Sequence, residues 1–325
     1  MHRLTLDRTR QLLDAMRGRR VIVLGDVMLD VYLRGPASRI SPEAPVPVVL
    51  VQEEWRALGG AANVAANVVA FGAACDLVGC VGHDEAASDL AGELGRQGIG
   101  AHGLIAVAGR STTIKTRIMA RQQQVARYDR ETDTDLGEAD GEAIVARVLE
   151  LLPSADALVL EDYNKGLLTR PVIAGVLDAA HAAGVPIVVD PKSRHFFDFR
   201  GATVFKPNQP ELSAALRTHV DADSAAWLSD VRDELGCDHL LVTLGEDGMA
   251  LLTQSGEHVR VPTVARSVYD VSGAGDTVTA VLALALAAGG DVVEAAILAN
   301  YAAGIEVGKA GVATVSPDEL MAAFT

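Results

Sequence analysis

Six short runs that are apolar on both faces constrain this chain more than any other feature. They are RVIVLGD (Arg20–Asp26), CDLVGCVG (Cys75–Gly82), ALVLEDY (Ala157–Tyr163), PIVVDPK (Pro186–Lys192), ATVFKPN (Ala202–Asn208) and HLLVTLG (His239–Gly245). Helical stretches separate them, among them GGAANVAANVVAFG (Gly59–Gly72) and PVIAGVLDAAHAAG (Pro171–Gly184). A strand without a polar face must be covered on both sides, and intervening helices supply the covers. The pattern predicts an α/β fold: a doubly wound, mainly parallel sheet with helices on both faces. Such sheets bind ligands beyond the carboxyl ends of their strands. Polar residues concentrate there: Asp26, Asp162, Asn164, Lys165, Asp190, Lys192, Asn208, Glu211 and Thr243.

Two segments interrupt the alternation. Val31–Leu58 has four prolines and no helical period, and Ser111–Glu131 reads as a hairpin. Both are too long for plain loops in a compact domain. They are expected to form a small β-sheet lid, from about 31–58 and 111–131, covering the strand ends of one domain that spans 1–325. In the hairpin's first arm Lys115 and Arg117 share one face, with Ile114, Thr116 and Ile118 on the other. With Arg121 and Arg127 they form a cationic strip that would draw an anionic substrate.

That strip stands out because the chain is acidic. Its 28 Lys+Arg against 43 Asp+Glu give −15, which argues against nucleic acid or an anionic membrane as partner. The three cysteines (Cys75, Cys80, Cys237) suit reduced thiols, and the eight histidines show no metal-binding spacing. The N-terminus has no apolar signal core, and no apolar run reaches about eighteen residues. A cytoplasmic location is expected.

The chemistry centres on DVSGAGDTV (Asp270–Val278). Gly273, Ala274 and Gly275 precede a lone carboxylate, Asp276, and open an apolar helix. Free amides at a helix start suit an anion, and an acid beside them can take a proton from an attacking hydroxyl. GIEVGKAG (Gly304–Gly311) has the wrong spacing for a Walker-type phosphate loop. The first strand ends in GDVMLD, without the glycine fingerprint of a dinucleotide-binding domain, which counts against a nicotinamide oxidoreductase.

Together these residues resemble the ribokinase-like, or PfkB, carbohydrate kinases. GGAANVA (Gly59–Ala65), KPNQPE (Lys206–Glu211), TLGEDG (Thr243–Gly248) and DVSGAGDTV fall in the family's order, and the resemblance runs from Arg20 to Pro317. SRISPEAPVPVV (Ser38–Val49), EDYNKG (Glu161–Gly166), DPK and VGKAGVATVSP are similar to the heptose-7-phosphate kinase branch. The resemblance implies ATP-dependent phosphorylation of the anomeric 1-hydroxyl of D-glycero-β-D-manno-heptose 7-phosphate, on the route to ADP-heptose for lipopolysaccharide. Alternatives are a kinase of another phosphorylated sugar, such as a ketohexose phosphate, and a non-catalytic sugar or nucleotide sensor. No HxGH motif follows the kinase segment, so adenylyl transfer is expected on another polypeptide.

Roles follow by resemblance. Asp276 is the base, with the amides of Gly273, Ala274 and Gly275 as the anion hole. Asp26 and Asp30, at the end of the first strand, meet sugar hydroxyls together with Gly59, Gly60 and Asn63. Lys115, Arg117, Asn164, Lys165 and Lys192 complete the substrate set, although Lys165 and Lys192 could instead pair with Asp162 or Asp190. Asn208 and Glu211 organise Mg²⁺, Glu211 through water. Thr243, Gly245, Gly248 and Asn300 lie against the nucleotide. A monovalent cation such as K⁺ near Asp270 and Gly308–Gly311 is a family feature. An open lid face bearing Val46, Val48, Leu50 and Trp55 implies a homodimer.

Overall fold

The computed structural model describes residues 4–121, 123–265 and 268–324; Gln122 of the expected hairpin lies outside them. The main sheet has nine strands in the order β15-β14-β13-β12-β11-β10-β1-β6-β7. Its parallel part comprises β1 (Arg20–Gly25), β6 (Ala74–Val81), β7 (Leu104–Ala106), β10 (Ala157–Glu161), β11 (Ile187–Asp190), β12 (Val204–Phe205) and β13 (His239–Thr243). β14 (Met249–Leu252) and β15 (His258–Val261) add an antiparallel edge.

Alternation along a strand sends successive side chains to opposite faces, so a doubly apolar strand serves two cores. In β1, Val21 and Val23 pack with the helices Leu6–Met16, Ala61–Ala70, Ala274–Ala287 and Val292–Glu306. Ile22 and Leu24 pack with Glu138–Leu151, Arg170–Ala183 and Ala225–Leu235. The predicted doubly wound sheet is therefore present. The antiparallel edge and β7 went unread because their runs are too short to carry a period.

The lid is a four-stranded sheet, β5-β2-β8-β9, of β2 (Val27–Gly35), β5 (Glu53–Gly60), β8 (Thr113–Ala120) and β9 (Gln123–Arg130). A separate two-stranded piece joins β3 (Ala37–Ile40) to β4 (Pro47–Val49). Two expectations need correction. The first lid segment runs from Val27 to Gly60 rather than 31–58, and Asp30 lies inside lid strand β2, not at the end of the first body strand. The helix expected from Gly59 starts at Ala61, because Gly59 and Gly60 still pair with β2.

Gly60 marks the passage from lid to body. Its φ of +56° is a left-handed value, and an added Cβ would come within 2.5 Å of the Asp26 carbonyl oxygen. The next amide, Ala61 N–H, donates to that same oxygen at 3.1 Å. Gly60→Ala is expected to cost about 1–3 kcal/mol of stability from backbone strain and overpacking, measurable by urea denaturation.

Candidate active site

Asp276 sits in the first turn of the helix Ala274–Ala287, just after Gly273, whose φ is +97°. A side chain at Gly273 would start 3.0 Å from the Asn63 amide nitrogen, so glycine lets the loop close onto Asn63. Asp276 is buried, yet both carboxyl oxygens have donors: Asn63 Nδ2 to Oδ2 and Tyr163 Oη to Oδ1, each at 2.7 Å. Burial pushes this carboxyl up to about 6; Asp190 pushes the same way, while Tyr163, Asn63 and Lys206 oppose. A carboxyl raised this far is poised to take a proton near neutral pH.

Tyr163 ties this group to the sugar-site residues. Its backbone N–H and that of Lys165 donate to Asp26 Oδ2 at 2.8 and 3.0 Å. Asp26 Oδ1 is buried and has no partner of normal geometry, leaving an acceptor for a ligand hydroxyl. Burial and the carboxylates around it raise the phenol well above the ordinary tyrosine value, so Tyr163 stays a neutral donor. Across the cleft, Asp30 pairs with Arg117 at 2.5 Å, and Lys115 reaches within 5.1 Å of the Tyr163 ring centre. Gly59 admits Asp30, whose Oδ2 would lie 2.8 Å from a Cβ there.

Several expected site residues have other work. Both polar ends of the Asn164 side chain are committed, Nδ2 to Ser193 and Oδ1 to the Arg194 amide, so it holds a turn. Lys165 Nζ pairs with Glu131 at 2.8 Å and Lys192 Nζ with Glu211, rather than with Asp162 or Asp190. Burial alone would lower Lys192, but Asp190 and Glu211 hold it above the usual lysine range. Asp190 takes Lys206 instead, at 2.8 Å, and both are buried.

Asn208 and Glu211 form a capping box for the helix Gln209–Leu216: Glu211 N–H donates to Asn208 Oδ1, and Asn208 N–H to Glu211 Oε2. Glu211 Oε1 holds Lys192, so both oxygens expected at a metal already have partners. Glu161, Asp190 and Asp276 lie closer together, with one oxygen of each within 4.8 Å of the others. Glu161 is fully buried without a hydrogen-bond partner for either oxygen among the described residues, and burial, then Asp190 and Asp276, raise it well above the carboxylate range. Three hard oxygen donors, one of them orphaned, fit a divalent cation such as Mg²⁺. Sequence reasoning missed Glu161, Tyr163 and Lys206 as site residues. Glu161 had a signal, since an acid closing a doubly apolar strand is a strand-end site group. Tyr163 had none, because its hydroxyl meets Asp276 only through the fold.

Beside the Gly273 turn opens a cavity of about 750 Å³, lined by Asn208, Thr243, Gly245, Gly248, Ala274, Gly275 and Asn300 with apolar Val271, Val278 and Met249. The expected nucleotide-side residues are thus brought together. Asn300 is buried rather than solvated, and its Nδ2 donates to the Pro262 carbonyl at 2.8 Å. Glu306 is fully buried beneath the turn; burial, with Asp270 and Asp276, pushes it up to about 8.

A carboxylate at a helix start, between a lidded cleft and an apolar cavity, is the arrangement of a phosphoryl-transfer enzyme. Residues 19–319 match the family described as pfkB family carbohydrate kinase, and the chain belongs to that family. It is 44% identical over 313 residues to the bifunctional protein HldE of Paramagnetospirillum magneticum, covering 96% of this chain and 64% of that protein. Against the bifunctional protein HldE of Azorhizobium caulinodans the identity is 47% over 307 residues, 94% of this chain and 64% of that one. The chain thus spans less than two thirds of these relatives' length. The fold is that of Arabidopsis thaliana ribokinase complexed with ribose and ATP (TM-score 0.74, 20% identity, 95% of this chain and 99% of that one). It is also that of Escherichia coli phosphofructokinase-2 in complex with potassium (TM-score 0.77, 19% identity, 95% and 98%). Among the described residues, no helix is long and apolar enough to cross a membrane.

Tyr163→Phe removes a donor that favours ionised Asp276 while keeping the ring. The Asp276 carboxyl should then titrate above its value of about 6, read by carboxyl ¹³C NMR on metal-free protein.

Proposed function

We propose that the protein is an ATP-dependent kinase that phosphorylates the anomeric 1-hydroxyl of D-glycero-β-D-manno-heptose 7-phosphate to the 1,7-bisphosphate, on the route to ADP-heptose. The observation that carries this reading is Asp276, held by Asn63 and Tyr163 between the sugar-side carboxylates and the cavity beyond the Gly273 turn. The sugar hydroxyl gives its proton to Asp276 as its oxygen bonds to the γ-phosphorus. The bond from that phosphorus to the bridging oxygen breaks, and ADP leaves. The helix start at Gly273–Gly275 would meet the charge that gathers on the phosphoryl oxygens, with the Ala274 N–H already donating to the Val271 carbonyl at 3.4 Å. Mg²⁺, when bound, neutralises phosphate charge, and Glu161 and Asp190 are the residues that would hold it.

The heptose assignment is supported by Ser38–Val49 and by the likeness to bifunctional HldE proteins. ATP in the related ribokinase structure and potassium in that of phosphofructokinase-2 support ATP and a monovalent cation near Asp270 here. We also propose a homodimer through the lid, where Ile40, Val46, Leu50 and Val51 are exposed. Val48 is only half-exposed, and Trp55 is stacked on Tyr32 at 4.9 Å, so the β3–β4 piece contributes most of the free apolar surface.

Measuring ATP consumption over a panel of sugar phosphates tests the substrate. Heptose 7-phosphate should give the highest kcat/KM; a ketohexose phosphate outrunning it overturns the assignment. Asp276→Asn should cut kcat at least about 100-fold with ATP affinity kept within a few-fold, because the amide cannot accept the proton. Light scattering should give twice the 34.0 kDa chain mass, and a single-chain mass ends the dimer proposal.

A further inference from the structure

Arg110 stands just before β8, where the chain leaves the body for the lid hairpin. Its guanidinium is half-buried and donates to three backbone carbonyls: Nη1 to Thr132 at 3.1 Å and to Lys165 at 2.6 Å, and Nη2 to Thr134 at 2.6 Å. Thr132 and Thr134 lie just beyond β9, where the hairpin returns to the body, so one side chain holds both feet of the hairpin. Lys165 belongs to the loop after β10. Its own N–H and that of Tyr163 hold Asp26 Oδ2, and the Tyr163 hydroxyl holds Asp276.

The backbone closes the same junction. Leu136 N–H donates to the Gly166 carbonyl at 2.9 Å, and Gly166, with φ +81°, packs so tightly that a Cβ there would come 2.2 Å from the Thr134 carbonyl oxygen. Carbonyl oxygens gathered around one point need donors between them. A planar guanidinium offers five N–H groups in a fixed fork and can answer several carbonyls together, which the single centre of an ammonium cannot copy. Arg110 bonds to neither Asp26 nor Asp276, so its geometric influence on them passes through the 163–165 loop. Its charge acts on Asp26 as well: burial raises that carboxyl, the amides of Lys165, Tyr163 and Leu167 oppose, and Arg110 adds to them.

We propose that Arg110 is a positioning residue that locks the lid hairpin to the 163–165 loop, so that the lid and the hydroxyl donor to Asp276 move as one piece. The proposal rests on reading Asp276 as the base and adds to it the means by which the position of the lid reaches that base.

The test compares wild-type, Arg110→Gln, Arg110→Lys, Tyr163→Phe and Arg110→Gln/Tyr163→Phe proteins, using ATP and whichever sugar phosphate the panel above ranks highest. Arg110→Gln should lower kcat by about 10-fold through misplacement of the loop, with the KM for ATP held within about 2-fold. In the Tyr163→Phe background the same substitution should cost no more than about 2-fold in kcat, because the path to Asp276 is already cut. Equal losses in the two backgrounds, as a merely structural role would give, overturn the proposal. Arg110→Lys keeps the charge without the fork and should recover only part of kcat; full recovery overturns the lock by assigning the effect to charge alone. A readout that needs no variant to fold is amide exchange of the ligand-free wild type in rising, sub-denaturing urea. Segments 132–136 and 163–166 should open together with one free energy, and separate openings overturn the lock. If Asp276→Asn keeps its turnover, the base reading fails on its own, and the exchange result still decides whether the two segments are locked.

Discussion

Three carboxyl groups, Glu161, Asp190 and Asp276, share one closed space, and the rest of the site is arranged around their repulsion. Like charges that close cannot all ionise without help. Lys206 answers Asp190, and Asn63 and Tyr163 answer Asp276, while Glu161 has no hydrogen-bond partner among the described residues and burial, with Asp190 and Asp276, raises its carboxyl well above the usual range. The result is a graded set: one carboxylate paired with a lysine, one held by two neutral donors, and one without a partner among the described residues. A base and a cation seat can therefore lie side by side.

The lid belongs to the same design because two of its strands, β2 and β5, continue directly into the body. β1 passes into β2 through Asp26, and β5 passes into the helix Ala61–Ala70 through Gly60. The Asp26 carbonyl oxygen, against which Gly60 packs, joins the two passages. A ligand under the lid would touch Asp30, Gly59 and Lys115 from above and Asp26, Asn63 and Asp276 from below. Its charge and hydroxyl pattern would be read by two layers whose relative position is set by short backbone passages.

The doubly apolar runs made the main sheet legible, and the strand-end rule placed Asp26, Asp190, Asn208 and Thr243 at the ends of its strands. Legibility failed where one side chain does two jobs. Asn208 and Glu211 carry a family signature, but their observed contacts are those of a helix cap and of Lys192. Asn164 looks like a ligand residue in EDYNKG and holds a turn. Lys165 and Lys192 each had two plausible acidic neighbours in sequence, and each took a third that only folding brings close.

What the sequence by itself determined is therefore the layering, the lid insertions, the helix that presents Asp276 and the family. These follow from periodicity and local backbone preference, which are properties of contiguous residues. Only the tertiary structure decided which charges are spent on one another. Asn63 and Tyr163 meet Asp276 across 213 and 113 residues, and Arg117 meets Asp30 across 87. Pairings at such separations depend on how layers pack, and no local pattern encodes them.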